Sequence, residues 1–342
     1  MAIKFSRLGS ALVAFLVLAP LVSSAGQALA QNMTDYDYTM PDWLQKSSSL
    51  WTDGKITGSE FIASFRYAIQ HGMFHLRPVE QRGFMITLTP GSNLVQAGQP
   101  ANCQDMNFPK VNWSGCDFTG VNMANSDLHG ANLTGISLAG ATVENSYLIN
   151  SDLENANLDY AGLRSADLAS ANLHNARLVG ILGQYLNLRF ADLSGANLTG
   201  AYMTGSSLNW ATLKNATLAG ADLDHSEFVA ADMSGLDARL ANFQDSYMTG
   251  VNFEGAHAQG ANFQSADMSN SNMTLAVLSG AHMKNAGLGN AVLKNADLSF
   301  ADLAGADLGG TDLTGANLTG ADMTGAILGG ATLHCTGNPV CG

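Results

Sequence analysis

The chain has 342 residues, of which only 13% are charged against about a quarter in ordinary globular proteins, and it carries 37 glycines. With 15 basic and 28 acidic side chains its net charge is −13, which excludes a protein that grips nucleic acid through phosphates. A hydrophobic share of 46% excludes a disordered acidic chain, so the skewed composition points to internal repetition.

Residues 1–30 have the layout of a secretory signal. Lys4 and Arg7 precede an uncharged run of fifteen residues from Leu8 to Val22, and Ala28-Leu29-Ala30 supplies the small residues of a cleavage site between Ala30 and Gln31. The run is short of the ~20 residues a bilayer-spanning helix needs and contains Pro20, which favours a cleaved signal over the alternative, an uncleaved N-terminal anchor. No other stretch could span a membrane, so the mature chain is expected to have no membrane span and to be secreted, periplasmic or at the cell surface.

Residues 31–85 have aromatic residues and no short period. Pro41 can open one helix. Thr57-Gly58-Ser59-Glu60 has capping-box spacing ahead of the apolar stripe Phe61, Ile62, Phe65, Ala68 and Ile69, with Gly72 placed to end a second helix. The run from Pro41 and Trp43 through Trp51, Gly54 and Ile56 to Phe61 and Ile62 resembles a small helical module of exported archaeal proteins, and it is expected to act as a lid over the start of the region that follows. The same stretch makes a poor calcium loop, because Trp51 stands where an oxygen ligand belongs. Residues 86–110, with Pro90, Pro100 and Pro109, read as a linker and the start of a cap.

From Val111 a five-residue period runs without insertion to residue 335. Its 45 centres begin Trp113, Phe118, Met123 and Leu128 and end Leu328 and Leu333; all are large and apolar except Gly183, Ala238 and Ala258. A small residue, usually Ala or Ser, precedes most centres by two, Asp, Asn or Thr most often sits between them, and Gly, Asn or Ser commonly closes the unit. A period of five is neither helical nor strand-like. It describes a coil of short sides and regular corners that buries its centres by stacking.

Units such as Ala131-Asn132-Leu133-Thr134-Gly135, Ala191-Asp192-Leu193-Ser194-Gly195 and Ala316-Asn317-Leu318-Thr319-Gly320 resemble the pentapeptide-repeat family over residues 111–335. The resemblance implies an all-β solenoid, a right-handed quadrilateral β-helix with four units per coil, here with a small α-helical N-terminal cap. At ~4.8 Å per coil the stack would be about 54 Å long. A spacing of twenty would stack Ala238 on Ala258 and Phe243 on Phe263, so the small centres read as compensated packing and not as a ligand cavity. Residues 336–342 form a C-terminal tail.

Four cysteines in an exported chain allow three pairings. Cys103 and Cys116 lie at the start of the repeats and Cys335 and Cys341 at their end, so local pairing is expected.

Chemistry-bearing residues are absorbed by the repeat. Most acids, among them Asp117, Asp127, Asp152, Asp192 and Glu227, precede a centre, where Asp and Asn bond turn N–H groups. The eight histidines have neither metal-ligand spacing nor a nucleophile partner, and eight of the fourteen Met are centres. No catalytic, cofactor or metal site is expected, and a carbohydrate-active β-helix enzyme lacks its carboxylate pair. Some cytoplasmic members of the family mimic DNA and bind topoisomerases. Here the repeat region has 21 acids and 7 bases, below half the ~32 charges of duplex DNA of the same length, and the signal segment points away from DNA. The sequence therefore reads as an exported, non-catalytic rod for a protein or glycan of the cell envelope, with a homodimer through a solenoid end as a further expectation.

Overall fold

The computed structural model describes residues 101–104 and 110–341. Each five-residue unit makes one side and one corner of a coil. In the first, Val111 and Trp113 point inward and are fully buried, while Asn112 between them faces out, as alternation along extended backbone requires. The chain then turns: the Cys116 N–H donates to the Trp113 carbonyl at 3.1 Å, and Gly115, the third residue of the turn, has φ +67°. That pattern is the one a type II turn requires. Every fifth residue from Gly115 to Gly330 repeats the positive φ, between 54 and 75°.

Four units close a coil. Parallel bridges join each outward residue to the one twenty positions on, from Asn112 with Asn132 through to Asp312 with Thr332. Each centre donates to the next coil, as Trp113 N–H does to the Asn132 carbonyl at 2.8 Å, and each outward residue donates to the previous one, as Asn132 does to Val111 at 2.9 Å. The period of five thus resolves into a four-sided β-helix solenoid. Its faces are named here by their first outward residues, Asn112, Asp117, Asn122 and Asp127.

The lapses among the centres are filled by their neighbours. Phe243 stacks on Phe263 with centroids 5.1 Å apart and planes within 2°, and Phe228 and Phe253 meet this pair edge-on at 5.6 and 6.0 Å. The rings pack in the same buried core as Ala238 and Ala258, both inaccessible to solvent. At Gly183 a Cβ would stand 3.2 Å from Leu186 Cδ2 and 3.4 Å from Ile181 Cδ1, so larger flanking residues occupy the missing volume. Cores tolerate such volume-conserving exchanges.

The described residues contain two short 3-10 turns, Ala101–Gln104 and Pro339–Cys341, and no α-helix. The expected helical module at 31–85 and the signal segment with Ala30 and Gln31 lie outside the described residues. The first coil is closed by the turn at Ala101–Gln104. Cys103 is buried and joined to Cys116, with Cα atoms 5.7 Å apart, and Asn102 Nδ2 donates to the Ser114 carbonyl at 3.1 Å. At the other end the register shortens: Asn317 pairs with Thr336, nineteen residues on, so the twenty-residue spacing expected through residue 335 ends one residue early. Met323, Leu328 and Leu333 are only partly covered there, as are Val340 and the disulfide-bonded Cys335 and Cys341.

Candidate functional site

The outward acids and amides are held first by the coil itself. Asp117 Oδ1 accepts the backbone N–H of Thr119 at 3.0 Å and its hydroxyl at 2.6 Å; Asp312 accepts the same pair from Thr314 at 3.0 and 2.6 Å, with Lys294 Nζ 3.1 Å from its other oxygen. Between coils, amides donate back by twenty residues. Asn172 donates to Asp152 at 2.9 Å, Asn187 to Asp167 at 2.8 Å, Asn242 to Asp222 at 2.8 Å and Asn317 to Asp297 at 3.0 Å. Among the bridge pairs of the described residues, only Asp302 and Asp322 place two acids directly over each other. Other acids of one column are at least two coils, about 10 Å, apart, roughly one Debye length at 0.1 M salt.

These bonds shift the carboxyls. The Thr314 hydroxyl, then its N–H and Lys294, hold Asp312 down at about 2, and the hydroxyls and N–H groups of Thr119 and Thr324 lower Asp117 and Asp322. An unfolded aspartate titrates near ~3.9. Because the folded values are lower, their contribution is fully present above about pH 4 and is lost as the pH falls toward about 2. The urea midpoint is therefore expected to drop between pH 4 and pH 2. Thr314→Val is expected to move Asp312 back toward the ordinary range, read by carboxyl-carbon NMR.

The histidines do not converge. His129 Nδ1 pairs with Asp127 at 2.7 Å, and His225 has Nδ1 3.1 Å from Asp224 and Nε2 3.8 Å from Asp245. Among the described residues no group of three His, Cys, Asp or Glu could hold a metal ion.

The unusual chemistry is at corners. A left-handed backbone costs a side-chain-bearing residue ~1–2 kcal/mol, which is why Gly and Asn dominate these positions. Yet Tyr160, Tyr185, Phe190, Trp210 and Phe300 occupy them at φ between 57 and 62°. Phe190 and Trp210, one coil apart, stack with centroids 5.1 Å apart and planes within 7°, while remaining 56% and 46% exposed. The Arg189 guanidinium lies 5.1 Å from the Trp210 centroid and 5.9 Å from that of Phe190. Across the Asp127 face the Tyr185 ring covers Gly205, where any Cβ would meet it at 2.8 Å. Tyr147 and Tyr247 stand exposed on that face.

On its other side, Phe190 borders an open hollow of about 290 Å³. Ala171 and Asn172 form the floor, and Glu154, Ser170, His174 and Asp192 complete the rim. Reading the fifth position as Gly, Asn or Ser passes over this constellation. The signal was present, as aromatic exceptions to an otherwise uniform column.

A model described as pentapeptide repeats matches eight copies within residues 101–175 and 184–334. The chain belongs to the pentapeptide-repeat family. With the family comes the right-handed sense of the β-helix. Solved pentapeptide-repeat structures similar to this chain include HetL, involved in heterocyst differentiation regulation in the cyanobacterium Nostoc sp. strain PCC 7120, at 28% identity, covering 66% of this chain and 91% of HetL with a TM-score of 0.27. Full-length QnrB1, a plasmid-mediated fluoroquinolone resistance protein, is 17% identical over 57% of this chain and 90% of its own, with a TM-score of 0.25. A pentapeptide repeat protein from the Arabidopsis thaliana thylakoid lumen is 22% identical, covering 39% and 69%, with a TM-score of 0.17. No curated protein matches the chain.

Proposed function

We propose that this pentapeptide-repeat protein is an exported, non-catalytic interaction rod whose partner is a protein or glycan of the cell envelope. The observation that carries the reading is the use of the outward acids and amides in turns and ladders, as in Asp312 with Thr314 and Asn172 with Asp152, which makes them parts of the scaffold and not a reacting constellation. The signal pattern before Gln31 supports export, and residues 31–85 would fold as a helical lid beyond the first coil. Disulfides at both ends suit an oxidising compartment. The partly covered Met323, Leu328 and Leu333 offer a second copy an end-to-end contact.

Cell fractionation with N-terminal sequencing, then pull-down from the envelope fraction, tests the reading. A processed chain beginning at Gln31 in an exported fraction, with an envelope component retained, is the expected result. An unprocessed protein confined to the cytoplasm would contradict it, as would hydrolytic turnover by the purified protein.

A further inference from the structure

We infer that the hollow beside Phe190 is a saccharide site that takes a neutral pyranose of a polysaccharide. The inference deepens the interaction-rod reading, on which it rests, by naming the chemistry of the partner.

The first observation is the misplacement of large rings. Nothing in the coil requires Phe190 at φ 59° or Trp210 at φ 57°, since Gly serves the same corner column at Gly130 and Gly250. Both rings are nonetheless held in place, stacked on each other with Arg189 across them. Trp210 covers one face of the Phe190 ring. The opposite face is turned toward Ser170, one coil back, and walls the hollow. A flat exposed ring offers its π-face to the C–H face of a sugar, a contact that needs no charge on either side.

The second observation is the set of acceptors around that ring. Asp192 uses Oδ1 to hold Ser194 at 2.9 and 2.6 Å, and Glu154 uses Oε1 for Asn155 at 3.4 Å. Their second oxygens and the His174 ring nitrogens have no hydrogen-bond partner among the described residues. One aromatic wall with several directional polar groups at its rim is the composition of a small-ligand site. Carboxylates accept from neighbouring hydroxyls and repel carboxylated sugars. A quaternary ammonium is disfavoured because only one ring is free and Arg189 already sits on its stack. An added peptide strand is disfavoured because the backbone of this face is paired to both neighbouring coils, Asn172 to Ser151 and Leu153 on one side and Ala171 and Leu173 to Asp192 on the other.

Affinity gel electrophoresis of the purified full-length protein in dextran, laminarin or mannan, with polygalacturonate as the acidic counterpart, tests the site. At least one neutral polymer is expected to retard the protein and polygalacturonate to leave it unaffected. Phe190→Gly, a residue the corner accepts, is expected to need about tenfold more polymer for the same retardation while melting within a few degrees of wild type. Asp192→Asn is expected to weaken binding as well. Phe300→Gly, the same exchange at a distant corner, is expected to bind like wild type. The site is refuted if no neutral polymer retards the protein, if Phe190→Gly binds undiminished, or if polygalacturonate binds equally. Binding is measured on purified protein, so it fails or succeeds independently of the fractionation result.

Discussion

Deleting residues 266–285, one whole coil, is expected to leave a folded solenoid that melts within several degrees of the parent, whereas deleting Gly280 alone is expected to abolish cooperative folding around that coil. The long deletion joins Ser265 to Ala286 and leaves every remaining outward residue paired with one in the same column. Solenoid stability is close to a sum of unit and interface terms, so losing one coil of about eleven removes a modest share. The single deletion forces a nineteen-residue spacing into the middle of the stack. Among the described residues that spacing occurs only between Asn317 and Thr336, at the last coil, where the centres are partly exposed. In the interior it would displace a buried centre and its small partner, roughly 2–3 kcal/mol for the centre alone, and leave backbone groups unpaired. Circular-dichroism melting and amide exchange in the flanking coils check this. Equal melting of the two deletions would overturn the twenty-residue coil as the unit of folding.

Phe263→Ala is expected to cost about 3–5 kcal/mol, the range for emptying an aromatic site in a packed core. The ring is in contact with Phe243 at 5.1 Å and Phe253 at 6.0 Å, and a hole there would open in a core already thinned by Ala238 and Ala258. Ala258→Leu alone is expected to overpack, at about 1–3 kcal/mol. If the rings compensate for the small centres, the two changes together should cost less than their sum by ~0.5–3 kcal/mol. A double-mutant cycle by urea denaturation measures the difference. Strict additivity would mean that Ala258 and Phe263 are packed independently.

Much of the architecture is legible in the sequence because each five-residue unit carries one residue of each kind. Val111 and Trp113 are marked as inward by size and polarity, and the turn residue by Gly115 or its Asn and Ser equivalents. The number of sides is less visible, since a period of five suits any polygon. It is written only in features that recur at twenty, such as the stacked Phe243 and Phe263. The interlocking of Asn172 with Asp152 is hidden for the same reason: it links residues four units apart, while each taken alone reads as a turn former. The shortened last coil could not be read from spacing, because His334 and Cys335 keep the period while the pairing of Thr336 does not.

The candidate site was hidden differently. Phe190 and Trp210 look like ordinary apolar residues in a chain that is 46% hydrophobic, and their exposure comes only from their place at the corner. Twenty-residue stacking brings them together, and it also brings Glu154, His174 and Asp192 onto one rim. Composition explains the acidic balance as turn chemistry. It says nothing about the hollow that those turns leave beside a ring.

The most direct measurement of the four-sided coil is pairwise cysteine cross-linking on an outward face. Thr212→Cys with Asp232→Cys places two thiols on bridged residues, one coil apart at about 4.8 Å, within the Cα range a disulfide accepts. Thr212→Cys with Glu227→Cys or with Asp237→Cys places them on different faces at spacings of fifteen and twenty-five. Under mild oxidation and peptide mapping, the pair twenty apart is expected to cross-link nearly completely and the other two hardly at all. Equal or greater cross-linking at fifteen or twenty-five would contradict a coil of four pentapeptides.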